Sequence, residues 1–103
     1  DLCHSMHDCS VATGDAWLKH FLRPLLTLPR TAVFVVFDES DSADPGIPAL
    51  VLGTLVRPHS RATGPLDHYG LLRTIEDGLG LRLLGRSARS TEIRGIWRPP
   101  PGR

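Results

Sequence analysis

Thr31-Ala32-Val33-Phe34-Val35-Val36-Phe37 is apolar on both faces of any extended strand it forms. A half-exposed strand alternates apolar and polar side chains, whereas a continuous β-branched and aromatic run suits a strand covered on both sides. A second such run, Ala49-Leu50-Val51-Leu52-Gly53, follows a polar loop ending in Pro48. Strands of this parallel, buried sort need helices over both faces, and two strands alone cannot close a sheet. The chain has 103 residues, and a chain of that size buries only about 60–65% of its unfolded surface. The expectation is an α/β piece of a larger domain, cut from its C-terminal end.

Two helices flank the strands. Trp17, Leu18, Phe21, Leu22 and Leu25 follow one helical stripe, with Thr13 or Asp15 as cap and Pro24 ending the helix after about Leu22. The second helix is the clearer one. Asp67 caps it, Tyr69, Leu71, Leu72, Ile75 and Leu79 form its apolar face, and Gly78 and Gly80 stop it. Residues 57–65 read as loop, and residues 81–103 as basic, irregular sequence with short apolar pieces at 81–84 and 93–97. Trp17 and Trp97 read as core, and His4, His20 and His59 as solvent-facing. Glu76-Asp77 reads as a polar helix face or a salt bridge to Arg73. Residues 1–98 are expected to be structured and residues 99–103 to form a disordered proline-rich tail.

Composition narrows the classes. An apolar fraction of 41% with no glycine or proline period excludes collagen-like, coiled-coil and wholly disordered chains. No apolar run reaches the roughly 18 residues of a membrane span. A net charge of +1 argues against a nucleic-acid footprint. The Arg-rich stretch from Arg82 onward reads as solubilising, with binding to an acidic surface as the alternative. The opening Asp1-Leu2-Cys3-His4 has no basic, apolar leader, so a signal peptide is expected to be absent or already removed. Cys3 and Cys9 fit neither a redox CxxC nor a paired zinc knuckle. A short disulfide loop, which would indicate an oxidising compartment, is the better reading; free buried thiols are the alternative.

Chemistry-bearing residues fall in three places. Asp38-Glu39 directly follows the first apolar run, with Asp41 and Asp44 close behind. Ligands of open α/β sheets bind at the carboxyl ends of strands, and adjacent carboxylates there invite a hard divalent cation. An ordinary acidic, solvated loop is the alternative. His7-Asp8 beside Cys9 could supply a metal ligand, a phosphate contact or a proton donor, or be a surface pair. His68 stands at a helix N-terminus, where an anion is favoured and the ring could contact a phosphate, as a catalytic candidate; a helix-end surface histidine is the alternative.

The motifs run in a recognisable order: His7-Asp8-Cys9-Ser10-Val11-Ala12-Thr13-Gly14-Asp15-Ala16-Trp17-Leu18, Val35-Val36-Phe37-Asp38-Glu39, Pro48-Ala49-Leu50-Val51-Leu52-Gly53, and His68-Tyr69-Gly70-Leu71-Leu72-Arg73-Thr74-Ile75-Glu76-Asp77. Together they resemble the C-terminal part of the bacterial phosphoesterase family of secreted acid phosphatases and non-haemolytic phospholipases C, in the alkaline-phosphatase-like superfamily. The resemblance spans residues 2–97. It implies a C-terminal fragment of a three-layer αβα domain in a secreted or cell-envelope enzyme. The implied activity is metal-dependent hydrolysis of phosphate esters through a Ser or Thr nucleophile. Asp38 and Glu39 map onto the divalent-metal site, and His7 and Asp8 onto the active centre.

Two departures bear on this. Gly46 stands where relatives carry an active-site His, and Gly70 where they read His-Tyr-Ser. The nucleophile is absent from the chain, so these residues alone are expected to be inactive. An acid-phosphatase-type monoesterase acting on a small phosphate ester or a lipid head group is the leading expectation. A phospholipase C-type phosphodiesterase and a non-catalytic remnant of the fold are the alternatives.

Overall fold

The structure, a computed structural model, describes residues 1–40, 43 and 46–100. The expected acidic neighbours Asp41 and Asp44, and the tail residues Pro101, Gly102 and Arg103, lie outside the described residues. The elements are α1 (Val11–Leu22), β1 (Val33–Val36), β2 (Ala49–Leu52), α2 (His68–Leu79) and a short 3₁₀ helix, Gly85–Arg89. They fall into two compact units, Asp1–Val56 and Arg57–Arg103.

In the first unit Cys3 and Cys9 are joined in a disulfide. The Asp1 carboxylate accepts from the amides of Cys3 (2.9 Å) and His4 (3.3 Å). Met6 is held at φ 68°. Its side chain lies against the buried Gly14, where an added Cβ would come within 2.7 Å of the sulfur. The cap of α1 is Ser10, not Thr13 or Asp15: its Oγ accepts from the Thr13 amide at 3.2 Å, satisfying a first-turn donor. The helix ends at Leu22, ahead of Pro24 as the sequence predicts.

The strands correct the parallel, doubly buried expectation. β1 and β2 form a two-stranded antiparallel sheet in which Val33 faces Leu52 and Val36 faces Ala49. A parallel pair needs a crossover, usually a helix, and the described residues between these strands hold none. Val33, Phe34 and Val35 are half-buried, while Val36 and Leu50 are exposed. The continuous apolar pattern thus outruns the cover found here. Thr54 ties the sheet's base together, its Oγ1 donating to the Leu28 carbonyl (2.8 Å) and accepting from the Thr31 amide (3.1 Å). Gly53, at φ 113°, allows this approach, since a Cβ there would sit 2.5 Å from the Thr31 carbonyl.

The second unit is built on α2. Asp67 caps it as predicted, accepting from the Gly70 amide at 2.8 Å, and Gly80 closes it in the left-handed conformation. Gly70 is buried because the Thr91 carbonyl passes close by; a Cβ would meet that oxygen at 2.6 Å. This is a physical reason for Gly at this position. The segment after the 3₁₀ helix returns along α2, with the Ile93 amide donating to Thr74 Oγ1 at 2.8 Å. Buried apolar side chains are Leu22 and Val56 in the first unit, and Ile93 and Ile96 in the second.

Three further expectations change. Trp17 is not core: it is 38% exposed and stacks between His4 and Phe21, with ring centroids 5.1 and 5.0 Å away. His4 is accordingly not merely solvent-facing, since it also pairs with Asp1 at 2.8 Å. Glu76 is buried, whereas Asp77 makes the expected bridge to Arg73 at 2.7 Å.

Candidate functional site

The disulfide loop positions His7 and Asp8. Both amides donate to the Leu2 carbonyl at 3.0 Å, which fixes the backbone beneath the pair. His7 Nδ1 lies 2.7 Å from Asp8 Oδ1. The side chains are 72% and 57% exposed, so solvent screens the pair and it contributes little stability. Its effect is orientation. A carboxylate bound at Nδ1 fixes the ring, and an Nδ1–H donor leaves Nε2 as the basic nitrogen. Such an imidazole presents one ring nitrogen to a proton donor or acceptor.

Asp38 and Glu39 lie just past β1, where the Phe37 amide reaches the Pro48 carbonyl at 3.5 Å and extends the strand ladder. Both are exposed. The Glu39 amide donates to Asp38 Oδ1 at 3.1 Å, holding one carboxylate over the turn. The parallel-sheet argument for a ligand edge does not carry over to an antiparallel pair, so their placement rests on the loop itself. Carboxylate oxygens have the hardness that Mg²⁺ or Ca²⁺ needs, but such ions take about six ligands. Among the described residues no three His, Cys, Asp or Glu side chains form a group able to hold a metal. The donor type therefore fits a hard cation, while the donor count falls short of a site. Among the described residues His7–Asp8 and Asp38–Glu39 do not join in one metal-holding group.

His68 is the first residue of α2, in the second unit, directly after the capping Asp67. Gly46 brings no imidazole to the loop before β2. The resolved pKa shifts lie elsewhere. The Arg94 guanidinium, bonded to Glu92 at 2.9 Å, holds the Glu92 carboxyl below its ordinary range, and Glu92 raises Arg94 in return. Two groups escaped the sequence reading. Glu76 binds the 3₁₀ helix from inside the second unit. Arg86 and Arg89, read as solubilising, line a cleft of about 730 Å³ beside the first turn of α2. Their three-residue spacing was the available signal. Among the described residues no helix is long and apolar enough to cross a membrane.

The chain is 34% identical over 98 residues to a phosphatidylinositol-3-phosphatase of Mycobacterium tuberculosis. The similarity is to a phosphatase. The alignment takes in 91% of it and 32% of the relative, so it spans about a third of that protein's length. No protein-family profile matches the chain, and no solved structure does.

Proposed function

We propose that this chain forms part of a metal-dependent phosphomonoesterase of the alkaline-phosphatase-like αβα architecture. The observation that carries the reading is the similarity to a phosphatase across 91% of the chain. In this proposal His7, oriented by Asp8, exchanges a proton with the substrate or leaving group. Asp38 and Glu39 donate oxygens to a divalent ion whose other ligands come from residues beyond those described. When bound, that ion would polarise a phosphoryl oxygen. A Ser or Thr outside this chain is the nucleophile.

The relative's substrate, a 3-phosphorylated inositol lipid by its name, suggests a lipid head group rather than a free sugar phosphate. The Cys3–Cys9 disulfide supports a secreted or envelope location, because such bonds persist in oxidising compartments. A specific observation favours a second reading. Gly46 stands at the expected histidine position, which suits a non-catalytic remnant.

The test is a divalent-ion titration of the longest natural protein containing this chain, followed by hydrolysis of a chromogenic phosphomonoester. Asp38→Asn and Glu39→Gln are expected to weaken ion binding and slow turnover at limiting metal. Wild-type metal dependence in both variants removes the metal role. No turnover by the complete wild-type protein at any metal concentration favours the remnant.

A further inference from the structure

We propose that the cleft beside the first turn of α2 binds a phosphate dianion, free or as a monoester, through Arg86 and Arg89. These residues play no part in the hydrolytic reading above, so the inference stands or falls apart from it. The cleft lies wholly within the second unit, lined by residues 65–67 ahead of α2 and by Arg86, Arg89, Ser90 and Thr91 in and after the 3₁₀ helix. Its volume of about 730 Å³ exceeds what a bare phosphate fills and falls among small-molecule sites, which run from about 300 to 1,000 Å³.

The lining chemistry selects the ligand. Two guanidinium groups against one carboxylate give the walls a net charge of +1 (two minus one). The carboxylate is already engaged, because Asp67 accepts the Gly70 amide at 2.8 Å. Each guanidinium presents a fixed fork of donors matched to two oxygens of an anion. A carboxylate ligand has two oxygens and satisfies one fork. A phosphomonoester has three terminal oxygens and two negative charges, so it can engage both forks. The positive end of the twelve-residue α2 adds to the field at the same wall.

The arginine wall is also held in place before any ligand arrives. The Arg86 guanidinium sits 4.5 Å from the centre of the Tyr69 ring, which restrains a side chain that otherwise loses entropy on binding. The Ser90 hydroxyl donates to the Arg86 carbonyl at 2.9 Å. Below them, Ser87 anchors the 3₁₀ helix to the Glu76 carboxylate of α2. A restrained Arg86 fork costs less to order than a free surface arginine.

The test follows the arginine Nε–H and backbone amide NMR signals of the full chain during titration with inorganic phosphate. A second arm adds phosphatidylcholine vesicles with and without phosphatidic acid, whose head group is a phosphomonoester. Saturable shifts at Arg86, Arg89, Ser90 and Thr91 are expected, with the R86Q/R89Q pair weakening binding by about tenfold or more. R61Q should leave it unchanged, and R86K/R89K should restore part of it. Vesicle binding that requires phosphatidic acid assigns a lipid head group; shifts with inorganic phosphate alone assign a soluble phosphate. Linear, unsaturable shifts, shifts centred elsewhere, or an equal loss in R61Q overturn the proposal. The wild-type shift map decides the matter even if the double variant does not fold.

Discussion

The Ser87 hydroxyl donates to the Glu76 carboxylate at 2.5 Å, and both side chains are buried, at 0% and 2% exposed. The other carboxylate oxygen accepts the Leu84 amide at 3.0 Å. A charge removed from water is tolerated only when its oxygens are matched by donors, so this contact fastens the 3₁₀ helix to α2. Ser87→Ala removes one donor and leaves part of the carboxylate unsatisfied. It is expected to cost about 1–3 kcal/mol, read from the urea midpoint. An unchanged midpoint would show that water replaces the hydroxyl without penalty.

Gly70 and Gly78 lie on the same helix and should respond to alanine with opposite signs. At Gly78 an added Cβ meets nothing within 4 Å, so Gly78→Ala gains the helix propensity of about 0.5–1 kcal/mol. At Gly70 the new Cβ would press on the Thr91 carbonyl at 2.6 Å. Gly70→Ala is therefore expected to lose about 1–3 kcal/mol as the returning segment is displaced. Thermal unfolding of the two variants measures both, and a gain in each would mean the Thr91 segment yields freely.

Reduction of Cys3–Cys9 frees a loop of six-residue separation. Loop entropy assigns so short a closure about 2 kcal/mol. The first unit should unfold earlier in reductant, and the His7 ring signals should broaden or shift as the backbone beneath them loosens. Unaltered His7 signals after complete reduction would show that the Leu2 carbonyl bonds hold the loop alone.

Glu92 titrates below an ordinary glutamate because Arg94 bonds to its ionised form. A carboxyl whose folded pKa is depressed contributes stability above its unfolded pKa and loses it as pH falls through the folded value. The contribution therefore disappears on acidification. An NMR titration should give a Glu92 midpoint that rises towards the ordinary value in Arg94→Gln. A midpoint identical in both proteins would place the cause elsewhere.

Local signals were the legible ones. The Asp67 cap, the Gly80 stop and the end of α1 ahead of Pro24 each depend on residues within a turn of one another. Strand direction depends on what lies opposite, and a run apolar on both faces does not reveal whether its neighbour is parallel. Glu76 read as solvated because its partner, Ser87, stands 11 residues away, beyond helical reach. Trp17 read as core because its size favours burial; instead His4 stacks on it from the disulfide loop. In the candidate site, the adjacency of His7 and Asp8 was evident, and the fold turned it into a 2.7 Å contact. Whether Asp38 and Glu39 gain further donors depends on distant residues, which adjacency in sequence does not encode.

The most direct trial of the account is the rate at which the longest natural protein containing this chain releases phosphate from a chromogenic monoester, with and without His7→Ala. A proton-transferring histidine should cost about 100-fold or more when removed, with the fold intact by circular dichroism. A variant as fast as the wild type would contradict a catalytic part for the disulfide loop.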